Sequence, residues 1–157
     1  MHTAPESLAL DCAQALLATL PRLRRLLIEF LPSGQGQRPL TPPQFFALRC
    51  LYAGECLPSH LSLRLKVSRP TVTSVVDGLV ARGLVERMAE PGDRRRVKLS
   101  LTPEGRRLYE ECWHALEEHL SHRLSRLTGA RQRRLLLALH DLDQALHEPQ
   151  SDEELPA

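Results

Sequence analysis

Two short runs of residues have the types and spacing to meet a polyanion. Ser68-Arg69-Pro70-Thr71-Val72-Thr73-Ser74 strings four hydroxyls and one guanidinium along seven positions, and Asp93-Arg94-Arg95-Arg96 sets three guanidiniums behind a carboxylate. Hydroxyls bond phosphates or either kind of base edge, so they position a helix and discriminate bases weakly; an arginine reads guanine or enters a narrow minor groove. Around these runs, residues 60–107 hold 11 Lys and Arg against 5 Asp and Glu, although the whole chain carries only +2. A basic segment suits nucleic acid because each neutralised phosphate releases condensed counterions, whereas a solvated charged surface is the reading without function.

These residues need elements to present them. Pro58-Ser59 opens a short helix with Leu61 and Leu65, Lys66 and Val67 make a tight turn, and Ser68 caps a helix whose Val72, Val76 and Leu79 share a face until Gly83 ends it. Two short helices joined by a turn of about three or four residues, the second capped and amphipathic, form a helix-turn-helix. With the valines and Leu79 inward, Pro70, Ser74, Asp77 and Gly78 face outward, and Arg69, Thr71 and Thr73 flank the first turns. Gly78 costs about 1 kcal/mol against Ala in an exposed helix interior, which fits a close approach to DNA or a neighbouring strand, or simple drift. Leu84 to Met88 then reads as a strand, residues 91–93 as a turn, and Val97, Leu99 and Leu101 alternate as a half-buried strand, giving a hairpin.

Upstream, Leu16, Leu20, Leu23, Leu27 and Phe30 mark a helix from Leu8 to Leu31, which Pro21 either kinks or divides. Residues 33–39 read as a loop, and Thr41-Pro42 starts a helix that Gly54 stops. Downstream, Thr102-Pro103-Glu104 opens a long helix through Trp113 to Leu127, and Leu135, Leu139, Leu142 and Leu146 mark a last one. The predicted organisation is an N-terminal helix (1–31), a DNA-binding lobe (40–102), C-terminal helices (103–147) and an acidic, disordered tail (148–157). The fold class is mainly α with a small β-hairpin. The end helices carry more apolar face than a small lobe can bury, which marks an interface; a larger monomeric bundle is the alternative.

Other chemistries are poorly served. No GxGxxG, GxxxxGK[ST] or GxSxG run occurs, so an enzyme is not expected, and neither is a cofactor. His114, Glu118 and His122 near Cys112 spread over two turns and do not converge as zinc needs, so no metal is expected. Cys12, Cys50, Cys56 and Cys112 lie far apart and fit reduced thiols. Neither a membrane span nor a signal peptide is visible, so a cytoplasmic location is expected.

The runs LTPPQFFALRCL, VSRPTVTSVVDGLVARGLVER and PGDRRRVKLSLTPEGRRL resemble the MarR (multiple antibiotic resistance regulator) family over roughly residues 40–110. The resemblance implies a winged helix-turn-helix flanked by dimerisation helices, in a homodimeric bacterial regulator of transcription, a repressor, that binds double-stranded DNA at pseudo-palindromic operators. By the same resemblance Asp93 braces the wing, Arg95 reaches into the minor groove, and Arg94 and Arg96 add phosphate contacts. Ser68, Arg69, Pro70, Thr71, Thr73 and Ser74 enter the major groove; Ser74 stands where the family often has a basic residue, so base reading falls to Arg69. The family's signals are small aromatic or anionic ligands and oxidants. Cys12 resembles in position a peroxide-sensing cysteine, but the supporting tyrosines are missing. The rival reading is a winged-helix module that docks on another protein.

Overall fold

A computed structural model of the chain describes residues 5–31, 39–90 and 93–146, with the backbone alone at residues 5, 6, 90 and 93–96. Most of the expected loop over 33–39, the turn residues 91 and 92 and the acidic tail lie outside the described residues. In chain order the elements are α1 (Pro5–Phe30), α2 (Pro42–Tyr52), α3 (Pro58–Leu65), α4 (Arg69–Ala81), β1 (Val85–Glu90), β2 (Asp93–Leu101), α5 (Pro103–Leu124) and α6 (Gly129–Leu146). The mainly helical fold with an antiparallel β1-β2 hairpin is the expected winged helix. The chain divides into two compact units, Met1–Leu116 and Glu117–Ala157.

Local chemistry sets the helix ends. Thr41 and Gln44 form a capping box: the Gln44 amide donates to Thr41 Oγ1 at 3.4 Å and the Thr41 amide to Gln44 Oε1 at 3.0 Å. α3 ends at Lys66, whose φ of 50° and ψ of 44° are left-handed and make the turn into α4. α1 runs unbroken through Pro21, so the missing amide costs a bond but not the helix. α5 stops at Leu124, one turn short of the expected Leu127. There the Leu127 amide closes a tight turn on the Leu124 carbonyl, which also accepts from the Gln132 side chain, both at 3.0 Å. The leucine period continues through that turn because Leu127 is still half-buried.

The first unit's core is formed by Phe45, Leu48 and Leu51 of α2, Leu61 of α3, Val72, Val76 and Leu79 of α4, Val85 and Leu99 of the hairpin, and Leu108 of α5. Each such burial is worth about 1.5–3 kcal/mol, which is what holds three short helices and a two-stranded ribbon together. Leu99 also exchanges both backbone hydrogen bonds with Cys56, at 3.2 and 2.9 Å, which attaches the α2–α3 connection to the hairpin. An aromatic seam joins α2 to α5: Phe46, Phe45, Tyr109, Tyr52 and Trp113 lie in a chain of ring contacts 4.7–6.0 Å apart. Arg49 and Arg106 cover its ends, 5.2 Å from the Trp113 ring and 4.8 Å from the Tyr52 ring.

The end of α4 and the start of α5 meet at one point. Gly83, with φ 68°, donates to the Val80 carbonyl at 2.9 Å, and Leu84 to the Leu79 carbonyl at 3.0 Å, a Schellman motif with Leu84 and Leu79 both buried. Thr102 then clasps this turn: its amide donates to the Leu84 carbonyl at 3.1 Å, and its hydroxyl donates to the Gly83 carbonyl at 2.7 Å while accepting from the Gly105 amide at 3.0 Å. Gly105 is so close that an added Cβ would lie 1.9 Å from the Leu84 carbonyl oxygen. That contact is with backbone, so relief requires moving the turn itself. Gly105→Ala is therefore expected to destabilise the protein by about 2 kcal/mol or more in urea unfolding, the overpacking strain exceeding alanine's helix preference; a variant as stable as the parent would show that the junction yields freely.

Candidate nucleic-acid interface

The opening of α4 is a polar, exposed surface on a rigid base. Ser68, Arg69, Pro70, Thr71, Thr73 and Ser74 are all exposed, while Val72, Val76 and Leu79 anchor the other face in the core. Ser68 Oγ accepts from the Thr71 amide at 3.4 Å and lies 2.8 Å from Thr71 Oγ1. Thr73 Oγ1 donates to the Arg69 carbonyl at 3.1 Å. Three of the four hydroxyls are thus held in place by the helix's own backbone or by each other, and they keep lone pairs for a second partner. Capping and ligand contact are compatible roles for Ser68 and Thr71. The Arg69 and Ser74 side chains have no hydrogen-bond partner among the described residues, and Arg69 borders a cavity of about 300 Å3 with Pro58, Ser59 and Thr73.

Two outward positions on α4 are engaged within the protein. Asp77 is exposed as expected, but it accepts from Arg87 of β1 at 2.5 Å. Gly78 is half-buried rather than outward: an added Cβ would sit 2.9 Å from Nε2 of Gln44, the residue that caps α2. Its close approach is to α2, not to an open surface. The Asp77–Arg87 pair is more than two-fifths exposed on each side, so it adds no more than about 1 kcal/mol of stability. Its effect is geometric, because it ties the outer face of α4 to the first strand of the hairpin. Periodicity could not reveal it, since it depends on the angle between α4 and β1.

The hairpin pairs Val85 with Leu101, Arg87 with Leu99 and Ala89 with Val97, with a register shift between Ala89 and Glu90. Asp93, the last residue of the turn expected over 91–93, is instead the first residue of β2 and pairs with Glu90. The backbone therefore carries Asp93, Arg94, Arg95 and Arg96 at the hairpin's far end; their side chains lie outside the described residues.

The thiols divide by environment. Cys12 is exposed, Cys50 half-buried, and Cys56 and Cys112 buried. Burial raises the Cys50 and Cys56 thiols, against the opposing charge of Arg64, and pushes Cys112 up to about 11. A protonated thiol is a poor nucleophile, so these three are protected at neutral pH. Among the described residues no three His, Cys, Asp or Glu side chains come together as a metal site.

The sequence pattern of the MarR family matches residues 38–96. The chain is 37% identical over 86 residues to the HTH-type transcriptional regulator YsmB of Bacillus subtilis, a match covering 54% of this chain and 59% of that protein. It therefore spans less than two thirds of YsmB's own length. It is 32% identical over 103 residues to the multiple antibiotic resistance protein MarR of Escherichia coli, covering 65% of this chain and 69% of that one. A solved MarR family protein from Bacillus stearothermophilus superposes with a TM-score of 0.79 at 25% identity, over 93% of this chain and 100% of the other.

If the ion pair sets the angle between α4 and the hairpin, Asp77→Asn weakens duplex binding by about threefold or more in fluorescence anisotropy, within what an exposed pair supplies. Removing a negative charge would by charge alone strengthen binding, so a tighter complex would sink the positional role. For the thiols, iodoacetamide at pH 8 is expected to label Cys12 in the native protein and Cys112 only after unfolding; equal labelling rates by mass spectrometry would contradict the burial.

Proposed function

We propose that this chain, which belongs to the MarR family, is a transcriptional regulator that binds a pseudo-palindromic operator as a homodimer, represses from it, and is released by a small-molecule or oxidant signal. The observation that carries this reading is the exposed opening of α4, six polar or small residues on a helix whose opposite face is locked into the core. In the bound state Ser68, Pro70, Thr71, Thr73 and Ser74 dock the helix in the major groove and Arg69 reads a guanine. Arg95 enters the minor groove, Arg94 and Arg96 meet phosphates, and Asp93 braces the loop.

Exposed leucines support the second copy. Leu8, Leu10 and Leu17 of α1 and Leu136, Leu137 and Leu146 of α6 are each more than half exposed, a surface that a neighbouring subunit would cover. Cys12, exposed on α1, is where an oxidant signal would act. The work falls in the cytoplasm, where the DNA is, and no helix among the described residues is long and apolar enough to cross a membrane.

Arg95→Ala is expected to weaken operator binding at least about tenfold and to lower the slope of log affinity against log salt by about one charge, with the dimer intact by sedimentation. The operator itself is obtained by selecting bound duplexes from a random pool, where an inverted repeat with half-sites about one helical turn apart is expected. Equal affinity of Arg95→Ala and parent across a salt titration would remove the wing from the interface. No enriched sequence at low salt would favour the protein-docking module.

A further inference from the structure

A second basic surface lies at the α5–α6 turn, apart from the residues assigned to DNA. Residues 119–134 hold Arg123, Arg126, Arg131, Arg133 and Arg134 and no Asp or Glu, and all five arginines are exposed. Arg123 donates to Nε2 of His119 at 2.6 Å; the other four have no hydrogen bond or ion pair among the described residues. Arg131, Arg133 and Arg134 fall in the opening turns of α6, whose first turn holds no acid, so they add to the positive end of the helix dipole instead of offsetting it. Like charges this close on an exposed helix repel, and an anion at this end relieves them.

The residues that follow α6 supply such an anion. Residues 147–157 carry Glu148, Asp152, Glu153 and Glu154 and no Lys or Arg, and they belong to the same compact unit as the arginines. We propose that Asp152, Glu153 and Glu154 fold back along α6 of their own chain onto Arg134, Arg133 and Arg131 and shield this surface from other polyanions. The reach fits. At about 1.5 Å per helical residue, the three arginines stand about 18, 20 and 23 Å back from Leu146. Pro149 disfavours helical backbone at Glu148, which favours a reversal just beyond α6. With about two residues spent on the reversal, an extended chain at about 3.4 Å per residue brings the three acids about 14, 17 and 20 Å back. The remaining gap is within the length of an arginine side chain. Ordering the whole segment would cost more than three exposed ion pairs return, so the acids exchange among the guanidiniums and hold no single conformer. Tethering nevertheless keeps the carboxylates at an effective concentration on the order of millimolar, against which a free polyanion must compete.

A nitroxide on Leu155→Cys, in a Cys12→Ser background that removes the exposed thiol, tests the contact by paramagnetic relaxation in the full chain. Broadening at the Arg131 to Arg134 amides is expected to exceed that at Ala145 and Leu146 by about threefold or more, and to fall by as much when Glu148→Gln, Asp152→Asn, Glu153→Gln and Glu154→Gln are combined or salt is raised. A maximum at Ala145 and Leu146, or broadening at the arginines that neutralisation leaves unchanged, would overturn the proposal. When isotope-labelled chains without nitroxide are mixed with unlabelled nitroxide chains, the effect should vanish; its persistence would assign the contact to a second copy and overturn the fold-back. For the shielding, a short duplex of unrelated sequence serves as the polyanion at low salt. The neutralised variant is expected to bind one more duplex per chain than the parent, whereas a general change of charge would alter affinity without adding a site. Equal stoichiometry would overturn the shielding.

Discussion

The clasp of Thr102 and Gly105 on the Gly83–Leu84 turn is the constraint on which the exposed surface of α4 and the hairpin depends. Three elements end or begin within it: α4 terminates at Ala81, the hairpin starts at Val85 and returns at Leu101, and α5 starts at Pro103. A two-stranded ribbon is marginal by itself, and a helix of 13 residues is scarcely better. A left-handed glycine, one threonine hydroxyl and a backbone contact too tight for any Cβ coincide where they join and tie them to one another. The tilt of α4 is thereby referred to α5 as well as to the core beneath it.

The outer surface built on that node is economical with its polar groups. Ser68 and Thr71 close the first turn of α4, Thr73 bonds back to Arg69, and Asp77 is spent on Arg87. Side chains already fixed by such contacts lose little further rotamer freedom on meeting a partner. They also give up specificity, because hydroxyls satisfied in part by their own backbone present a generic face. Arg69, like Ser74, has no hydrogen-bond partner among the described residues, and under the proposed binding mode its guanidinium is the group that discriminates.

What could be read from the amino-acid order follows how local each signal is. The Thr41 and Ser68 caps, the Thr102-Pro103 start, the Val72, Val76 and Leu79 stripe and the alternation of Val97, Leu99 and Leu101 are decided within a few residues, and the structure has all of them. Gly105, Gly78, the Asp77–Arg87 pair and the Cys56–Leu99 bridge were not legible, because each is set by elements that meet only after folding. Gly78 shows the difference well: its place on the α4 wheel points outward, yet α2 crosses there and Gln44 fills the space. Arg94, Arg95 and Arg96 are read from their order in the chain alone, since their side chains are outside the described residues.

The second unit poses the opposite problem from the first. α6 has 18 residues and none of them buried, with Leu136, Leu137, Leu139 and Leu146 each at least half exposed. Leu120, Leu124, Leu135, Leu136 and Leu139 border a cavity of about 480 Å3 rather than a filled core. Helix propensity alone leaves a segment of this length marginal in water, since most helical stability in proteins comes from packing an apolar face. The aromatic residues that might have thickened a core here are used elsewhere: five of the six belong to the α2–α5 seam. A helix with a continuous leucine face and no core of its own calls for a covering surface. Under the proposed dimer that surface is the same face of a second copy, so the stability of the C-terminal helices would depend on association.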